Sequence, residues 1–186
     1  MSLIRNCAAW VTGATLAACG ALPPAGEPMP RATAFDLIGR VAVNYDGRAF
    51  SSNVRWQHLA ERDEIWLLTP TGQALAHIVA DADGATLTGS DRKQYHAGDV
   101  ESLTRRALGW ELPLERLAWW VRGEIMPGGL IGEVLRDQRG RLARLRQDGW
   151  HITFVHPPAN ERGDLPQRLE LVRDAHQIRL VIDDWR

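Results

Sequence analysis

Apolar and polar residues alternate along most of the chain from residue 35 onward, which is the period-two pattern of half-buried β-strands. Segment 50–58 shows it most clearly, because Val54, Trp56 and their even-numbered neighbours face one side and four polar residues face the other. An Asp46-Gly47 pair separates it from a similar segment at 35–43 and predicts a hairpin. Further strands are predicted at 64–69, 73–80, 84–89, 92–96, 130–136, 141–147, 150–156, 167–173 and 177–183.

Two segments follow helical spacing instead. Asp99 is a predicted N-cap for a helix that ends at Gly109, and Pro113 opens a second helix that ends at Gly123. The second helix carries few polar residues and must lie against an apolar surface. Its apolar side is formed by Leu114, Leu117, Trp120 and Val121.

These elements predict a mainly β fold with minor α content. We expect a single antiparallel sheet of about eleven strands, curled into an incomplete barrel, with the helices covering its concave hydrophobic face. Such an interior is either filled by side chains or open to a ligand. The helical spacing fits a lid over a cavity and an ordinary core helix equally well, so both interpretations stand at this point.

The first 34 residues differ from the rest. Arg5 precedes a short apolar stretch that is far below the roughly twenty residues of a membrane-spanning helix. The stretch ends in Leu16-Ala17-Ala18-Cys19, which resembles a bacterial lipobox; the alternative is an ordinary secretory signal with a chance cysteine. We therefore expect a signal peptide at 1–18, a lipidated Cys19 with a proline-rich tether at 19–34, and a folded domain at 35–186. The residue after the cysteine is Gly20, and by resemblance to bacterial lipoproteins this favours the outer membrane.

Charge and motifs exclude several classes of function. The chain has 22 Lys+Arg against 23 Asp+Glu, a formal net charge of −1, which argues against a general nucleic-acid binder. None of the six histidines falls in an HExxH motif, and the sequence contains no Gly-x-Ser-x-Gly elbow and no glycine-rich phosphate loop. We therefore expect neither an enzyme nor a bound metal or cofactor.

Several short motifs together resemble the LolB family of outer-membrane lipoprotein receptors, over roughly residues 35–186. Each motif is weak alone, but their order, together with the lipobox, is specific. In chain order they are Leu37–Val43, Val54–Gln57, Leu67–Gly72, Gly109–Leu114, Leu117–Gly123, Gln147–Trp150, Leu165–Leu169 and Ile178–Trp185.

The resemblance implies a monomeric receptor, anchored at the periplasmic face of the outer membrane, that accepts acylated lipoproteins from a LolA-type periplasmic carrier and inserts them among the lipids of that membrane. Trp56, Trp120, Trp150 and Trp185 fall on tryptophan positions of the family, and the first two are expected to face the cavity. The expected acyl-chain cavity is lined by Val41, Val43, Val54, Trp56, Leu67, Leu117, Trp120 and Val121.

One loop departs from the family pattern. The family carries an apolar residue in a Pro-Leu-Gly membrane-insertion loop, whereas this chain has Pro70-Thr71-Gly72. Polar Thr71 thus stands where a leucine is expected, and Leu68 and Leu75 are the nearby apolar substitutes. Three other functions remain alternatives: an outer-membrane carrier of another lipid or apolar molecule, a lipid-anchored enzyme, and a structural lipoprotein with a filled core.

Overall fold

The structure, a computed structural model, describes residues 30–158 and 163–186. The predicted signal peptide, the lipid-attachment residue Cys19 and most of the predicted tether lie outside these residues. The last residues before the first strand already pack on the fold, because Ala32 is buried and its carbonyl oxygen lies 3.3 Å from Nε2 of His58.

Eleven strands form within two residues of the predicted positions. They are β1 (Phe35–Tyr45), β2 (Arg48–His58), β3 (Asp63–Leu68), β4 (Ala74–Asp81), β5 (Gly84–Gly89), β6 (Gln94–Ala97), β7 (Ile131–Arg136), β8 (Leu142–Gln147), β9 (Trp150–Val155), β10 (Arg168–Arg173) and β11 (His176–Trp185).

All eleven strands belong to one antiparallel sheet in the order β6-β5-β4-β3-β2-β1-β11-β10-β9-β8-β7. Hairpins build both halves, and the pairing of β1 with β11 joins them. A bulge lies at Ile38/Gly39 in this pairing, and a Cβ atom on Gly39 would lie 2.1 Å from the carbonyl oxygen of Val181. The edge strands β6 and β7 do not pair with each other, so the barrel is incomplete, as predicted.

Two helices lie between β6 and β7 in the chain: α1 (Val100–Leu108) and α2 (Leu114–Trp120). The Asp99 side chain accepts a hydrogen bond from the Ser102 N–H, and Gly109 ends α1 in the left-handed conformation, as predicted. The assigned α2 ends at Trp120 and is shorter than predicted. Gly123 nevertheless closes it, because its N–H donates to the Trp120 carbonyl at a φ of +72°.

The core lies between the concave face of the sheet and the two helices. Strand residues alternate between buried and exposed, most regularly in β9, and the buried ones face the helices. Residues 99–126, which include both helices, are called the helical cover below. The cover therefore supplies the second layer that a curved sheet needs to bury its apolar face.

Candidate functional site: an apolar interior under a helical cover

The eight residues expected to line an acyl-chain cavity meet in one apolar cluster. Both layers contribute to it: the sheet residues Val54, Trp56 and Leu67 and the helix residue Leu117 are only 3–6% exposed. Val41 is only partly buried and packs against the same cluster. The remaining three are the buried Val43, Trp120 and Val121.

Tryptophans occupy both layers of this cluster. Trp56 stands edge-on to Phe35 at 4.8 Å between ring centroids, and its Nε1–H donates to the Asp63 carboxylate at 2.7 Å. Trp120 packs against Trp150 at 6.4 Å between ring centroids. The sequence left the positions of Trp150 and Trp185 open; Trp150 is buried in the core, and Trp185 is partly buried against it. The indole N–H groups of Trp56 and Trp120 are hydrogen-bonded, whereas that of Trp150 has no partner among the described residues.

One buried side chain ties the cover to the sheet. Gln147, at the end of β8, is fully buried, and its Oε1 accepts from Nε1 of Trp120 at 2.9 Å and from the Met126 N–H at 3.3 Å. Its Nε2 donates to the Met126 carbonyl at 2.6 Å. Every polar atom of the Gln147 side chain is thus used to hold the end of the helical cover, which is the role expected of a buried polar group.

Two further polar links hold the helices. Arg116 of α2 binds Glu101 of α1 and Asp148 of the β8–β9 turn, both at 2.9 Å. Glu111, between the helices, accepts hydrogen bonds from Arg105 and from Arg173 of β10, at 2.7 Å each. One link joins the cover to the β8–β9 turn, and the other joins it to the end of β10.

The electrostatic environment differs among the three carboxylates of these links. The hydrogen bond from Arg173 lowers the pKa of Glu111, with burial acting against it. Burial alone would raise the pKa of Asp148, but hydrogen bonds from Arg116 and from the Leu130 N–H lower it on balance. Burial raises the pKa of Glu101 despite the nearby Arg116. The links at Glu111 and Asp148 therefore favour ionised carboxylates, whereas the site of Glu101 does not.

Open space lies beside the predicted lining rather than within it. A cleft of about 700 Å³ runs along the first turns of both helices, where apolar Leu114 and Trp119 oppose charged Asp81 and Glu101. A cavity of about 420 Å³ separates the β1–β2 hairpin from the end of α1. Of the eight predicted lining residues, only Val43 borders either space. In this conformation the predicted lining is packed within the apolar cluster, and seven of its eight residues lie away from both spaces.

The Pro70-Thr71-Gly72 loop joins β3 to β4, at the opposite end of these strands from the 700 Å³ cleft. All three residues are exposed, and Oγ1 of Thr71 lies 2.9 Å from Oγ1 of Thr69. Leu68 and Leu75 are only half-buried, but they lie in the strands and not at the tip of the loop. The tip is therefore polar.

Sequence reasoning missed the residues that hold the cover. Gln147, Arg116 and Glu111 carry no motif and differ from surface residues only by their tertiary contacts. Among the described residues there is no group of three or more His, Cys, Asp or Glu side chains that could hold a metal ion. Neither helix in the described ranges has the length and apolarity to cross a membrane.

An open antiparallel sheet whose apolar concave face is covered by a pair of helices defines a class of β-sheet proteins with an apolar interior. Residues 33–185 match the family described as "Outer membrane lipoprotein LolB", and the chain belongs to this family. It is thus an outer-membrane lipoprotein that acts as a receptor in lipoprotein localisation and is not an enzyme.

The chain is similar in sequence to curated relatives over most of their length. An outer-membrane lipoprotein LolB of Chromobacterium violaceum is 40% identical over 152 residues, which cover 82% of this chain and 80% of the relative. One from Thiobacillus denitrificans is 39% identical over 178 residues, with coverage of 96% and 93%. A solved LolA superfamily structure from Nitrosomonas europaea, NE2245, aligns over 82% of this chain and 85% of that chain, with 10% identity and a TM-score of 0.46.

Proposed function

We propose that the apolar interior of this receptor binds the acyl chains of lipoproteins, which a LolA-type periplasmic carrier delivers, and that the receptor then releases them into the outer membrane. The observation that carries the proposal is the arrangement of the interior. Its sheet wall is continuous, while its cover packs apolar side chains on that wall and is held in place by the polar contacts of Gln147, Arg116 and Glu111. We expect such a cover to leave the sheet without unfolding it.

Acyl chains would replace the apolar contacts that opening removes. Opening uncovers side chains of the cover such as Leu117, Trp120 and Val121, together with the sheet residues on which they pack, and burial of each such side chain is worth about 2 kcal/mol. Each acyl methylene that enters the interior returns about 0.8 kcal/mol. Because these two free energies oppose each other, the bound cargo can still be passed on.

The direction of transfer needs no nucleotide. The sequence holds no phosphate-binding loop, so cargo would move down a gradient of affinity from carrier to receptor to bilayer. A filled interior supports this step, because the cover and the sheet close over the vacated site by themselves once the acyl chains leave.

The anchoring and insertion elements complete the proposal. A lipid on Cys19 would hold the domain at the membrane, with residues 19–34 as the tether. By the family resemblance, the Pro70-Thr71-Gly72 loop would correspond to the membrane-insertion loop, but polar Thr71 stands at its exposed tip where a leucine is expected. Insertion through this loop would therefore be weaker than in relatives that carry leucine.

A transfer assay tests the proposal. The full chain with Cys19→Ala is mixed with a carrier that holds a radiolabelled lipoprotein, without membranes, and the cargo is expected to move to the chain. Val54→Glu, on the buried face of β2, should reduce this uptake at least about tenfold, because a charge would lie among the acyl chains. Asn53→Glu, its neighbour on the opposite face, is the matched control and should leave uptake unchanged.

Circular dichroism establishes that both variants fold. If Val54→Glu does not fold, a lipoprotein with a photoreactive acyl chain replaces it as the test, and cross-links are expected in β1–β3 and α2. Cross-links confined to the convex face of the sheet would contradict the proposal. Uptake of free lipid, with no acceptance from the carrier, would point instead to a carrier of another apolar molecule.

A further inference from the structure

Apolar side chains are concentrated at one edge of the sheet. All six residues of β7 are exposed, and β7 has a paired strand on one side only. Exposed apolar groups on an open strand edge mark an interaction surface. The four side chains of this edge, called the β7 ridge below, are Leu130 (83% exposed), Ile131 (54%), Val134 (38%) and Leu135 (46%). Val134 lies opposite buried Leu145 and Leu135 opposite exposed Arg144, so the ridge includes both faces of the edge.

Arginines flank the ridge. Arg144 and Arg146 of β8 pair with Leu135 and Glu133 of β7, so they lie directly beside the ridge on the convex face of the sheet. Both are exposed, and within the described residues neither guanidinium has a hydrogen-bond or ion-pair partner. Glu133, the one acidic residue of β7, lies opposite Arg146 and offsets part of this charge. The ridge therefore combines apolar groups with an excess of positive charge.

The other edge of the sheet has a different character. Strand β6 exposes Gln94, Tyr95 and His96, and the carbonyl oxygen of His96 accepts a hydrogen bond from Arg106 of α1. The cover thus protects this edge. Within residues 30–158 and 163–186, β7 is the edge strand on which large aliphatic side chains are exposed together.

We propose that the β7 ridge rests on a bilayer containing anionic phospholipids, with Leu130 and Ile131 at the boundary between headgroups and acyl chains and Arg144 and Arg146 on lipid phosphates. Aliphatic side chains beside arginines suit this boundary, where guanidinium groups meet phosphate and apolar groups leave water. An outer-membrane lipoprotein is held next to such a surface at all times.

The consequence concerns delivery and rests on the proposed function. β7 is one of the two free edges of the sheet, and the cover connects it along the chain to β6, the other edge. Contact at the ridge would turn the gap between these edges towards the bilayer, so acyl chains would leave the interior directly into lipid. The ridge would then supply the apolar contact that the polar tip at Thr71 lacks.

Vesicle binding tests the ridge without any cargo. The full chain with Cys19→Ala is sedimented with vesicles of phosphatidylethanolamine and phosphatidylglycerol, and with vesicles of phosphatidylcholine alone. Leu130→Ser together with Ile131→Ser should lower binding to the anionic vesicles at least about tenfold. Arg144→Gln together with Arg146→Gln should lower it about tenfold and remove the preference for anionic vesicles.

The controls are exposed residues of the same kinds elsewhere. Leu59→Ser replaces a leucine that is 46% exposed in the β2–β3 turn, and Arg92→Gln replaces an exposed arginine in the β5–β6 turn. Both should bind vesicles as the parent chain does. Because every variant carries the same residues 1–29, differences in binding arise from the substituted positions.

A second measurement places the ridge relative to the loop. With Cys7→Ser also present, an environment-sensitive fluorophore on Leu130→Cys should shift to shorter wavelength on anionic vesicles, and one on Thr71→Cys should shift less. A shift at position 71 alone would overturn the proposal. Unchanged vesicle binding by the ridge variants would also overturn it, as would a loss of acceptance from the carrier while vesicle binding persists. Failure of acyl uptake with intact ridge binding would reject the proposed function alone.

Discussion

The sheet and its helical cover are held by different kinds of contact. The sheet is a continuous antiparallel ladder of eleven strands with an alternating apolar face. The cover packs apolar side chains on that face, but its position depends on the polar links of Gln147, Arg116 and Glu111. A ladder fails as a unit, whereas separate polar links can open one at a time. We therefore expect the sheet to act as a fixed wall and the cover to be the element that moves.

Disrupting the β1–β11 pairing, which joins the two halves of the sheet, should destabilise the whole fold. In Gly39→Ala the new Cβ would lie 2.1 Å from the Val181 carbonyl oxygen, a backbone atom that cannot move without disrupting the β1–β11 pairing. We expect the free energy of unfolding to fall by about 3 kcal/mol or more, measured by urea denaturation. Gly98→Ala, where no atom lies within 4 Å, should change it by less than about 0.5 kcal/mol. Equal effects would show that the join is not a critical position.

Removing the buried hydrogen bonds of Gln147 should open the cover locally without unfolding the sheet. Gln147→Met leaves the N–H groups of Trp120 and Met126 without their acceptor, at about 1–3 kcal/mol for each buried donor. Hydrogen exchange should accelerate over residues 114–126 and remain slow in β10 and β11. Gln57→Met, on the convex face of β2, is the control and should leave the cover protected. Faster exchange throughout the sheet would contradict the independence of the cover.

Lowering the pH should have the smallest effect on stability of the three changes, and it should act on the cover. The pKa values of Asp148 and Glu111 are lowered in the fold, so their stabilisation is complete above the ordinary carboxyl pKa of about 4 and is lost as pH falls through their lower folded values. The pKa of Glu101 is raised, so its protonation begins at higher pH and relieves a burial penalty. We therefore expect the cover to stay closed at mildly acidic pH and to loosen below about pH 4.

Urea denaturation across this pH range checks the sign, and Asp148→Asn should flatten the acid limb of the curve. If the stability of Asp148→Asn falls with acid as steeply as that of the parent chain, the link at Arg116 does not respond to pH in this way.

Local signals were predictable and tertiary partners were not. Asp99, Gly109 and Gly123 act where the sequence places them, because caps depend on neighbouring backbone atoms. The assigned end of α2 was predicted three residues late because the Gly123 turn itself closes the helix. The role of Gln147 had no local signal, since its partners are 21 and 27 residues away.

The β7 ridge shows the same limit. Segment 130–136 has the composition of an ordinary strand, and the strand formed where the pattern predicts it. That its leucines and valine remain exposed follows from its place at the end of the strand order, which depends on pairings made by all the other strands.

The order of residues along the chain was enough to define the strands, the helix caps, the curled antiparallel sheet and the family, since alternation, turn chemistry and short motifs are properties of neighbouring residues. The packed interior, the links that hold the cover and the exposed edge arose only on folding. They depend on which side chains meet across long separations, and burial and hydrogen bonding between distant segments leave no periodic trace in the chain.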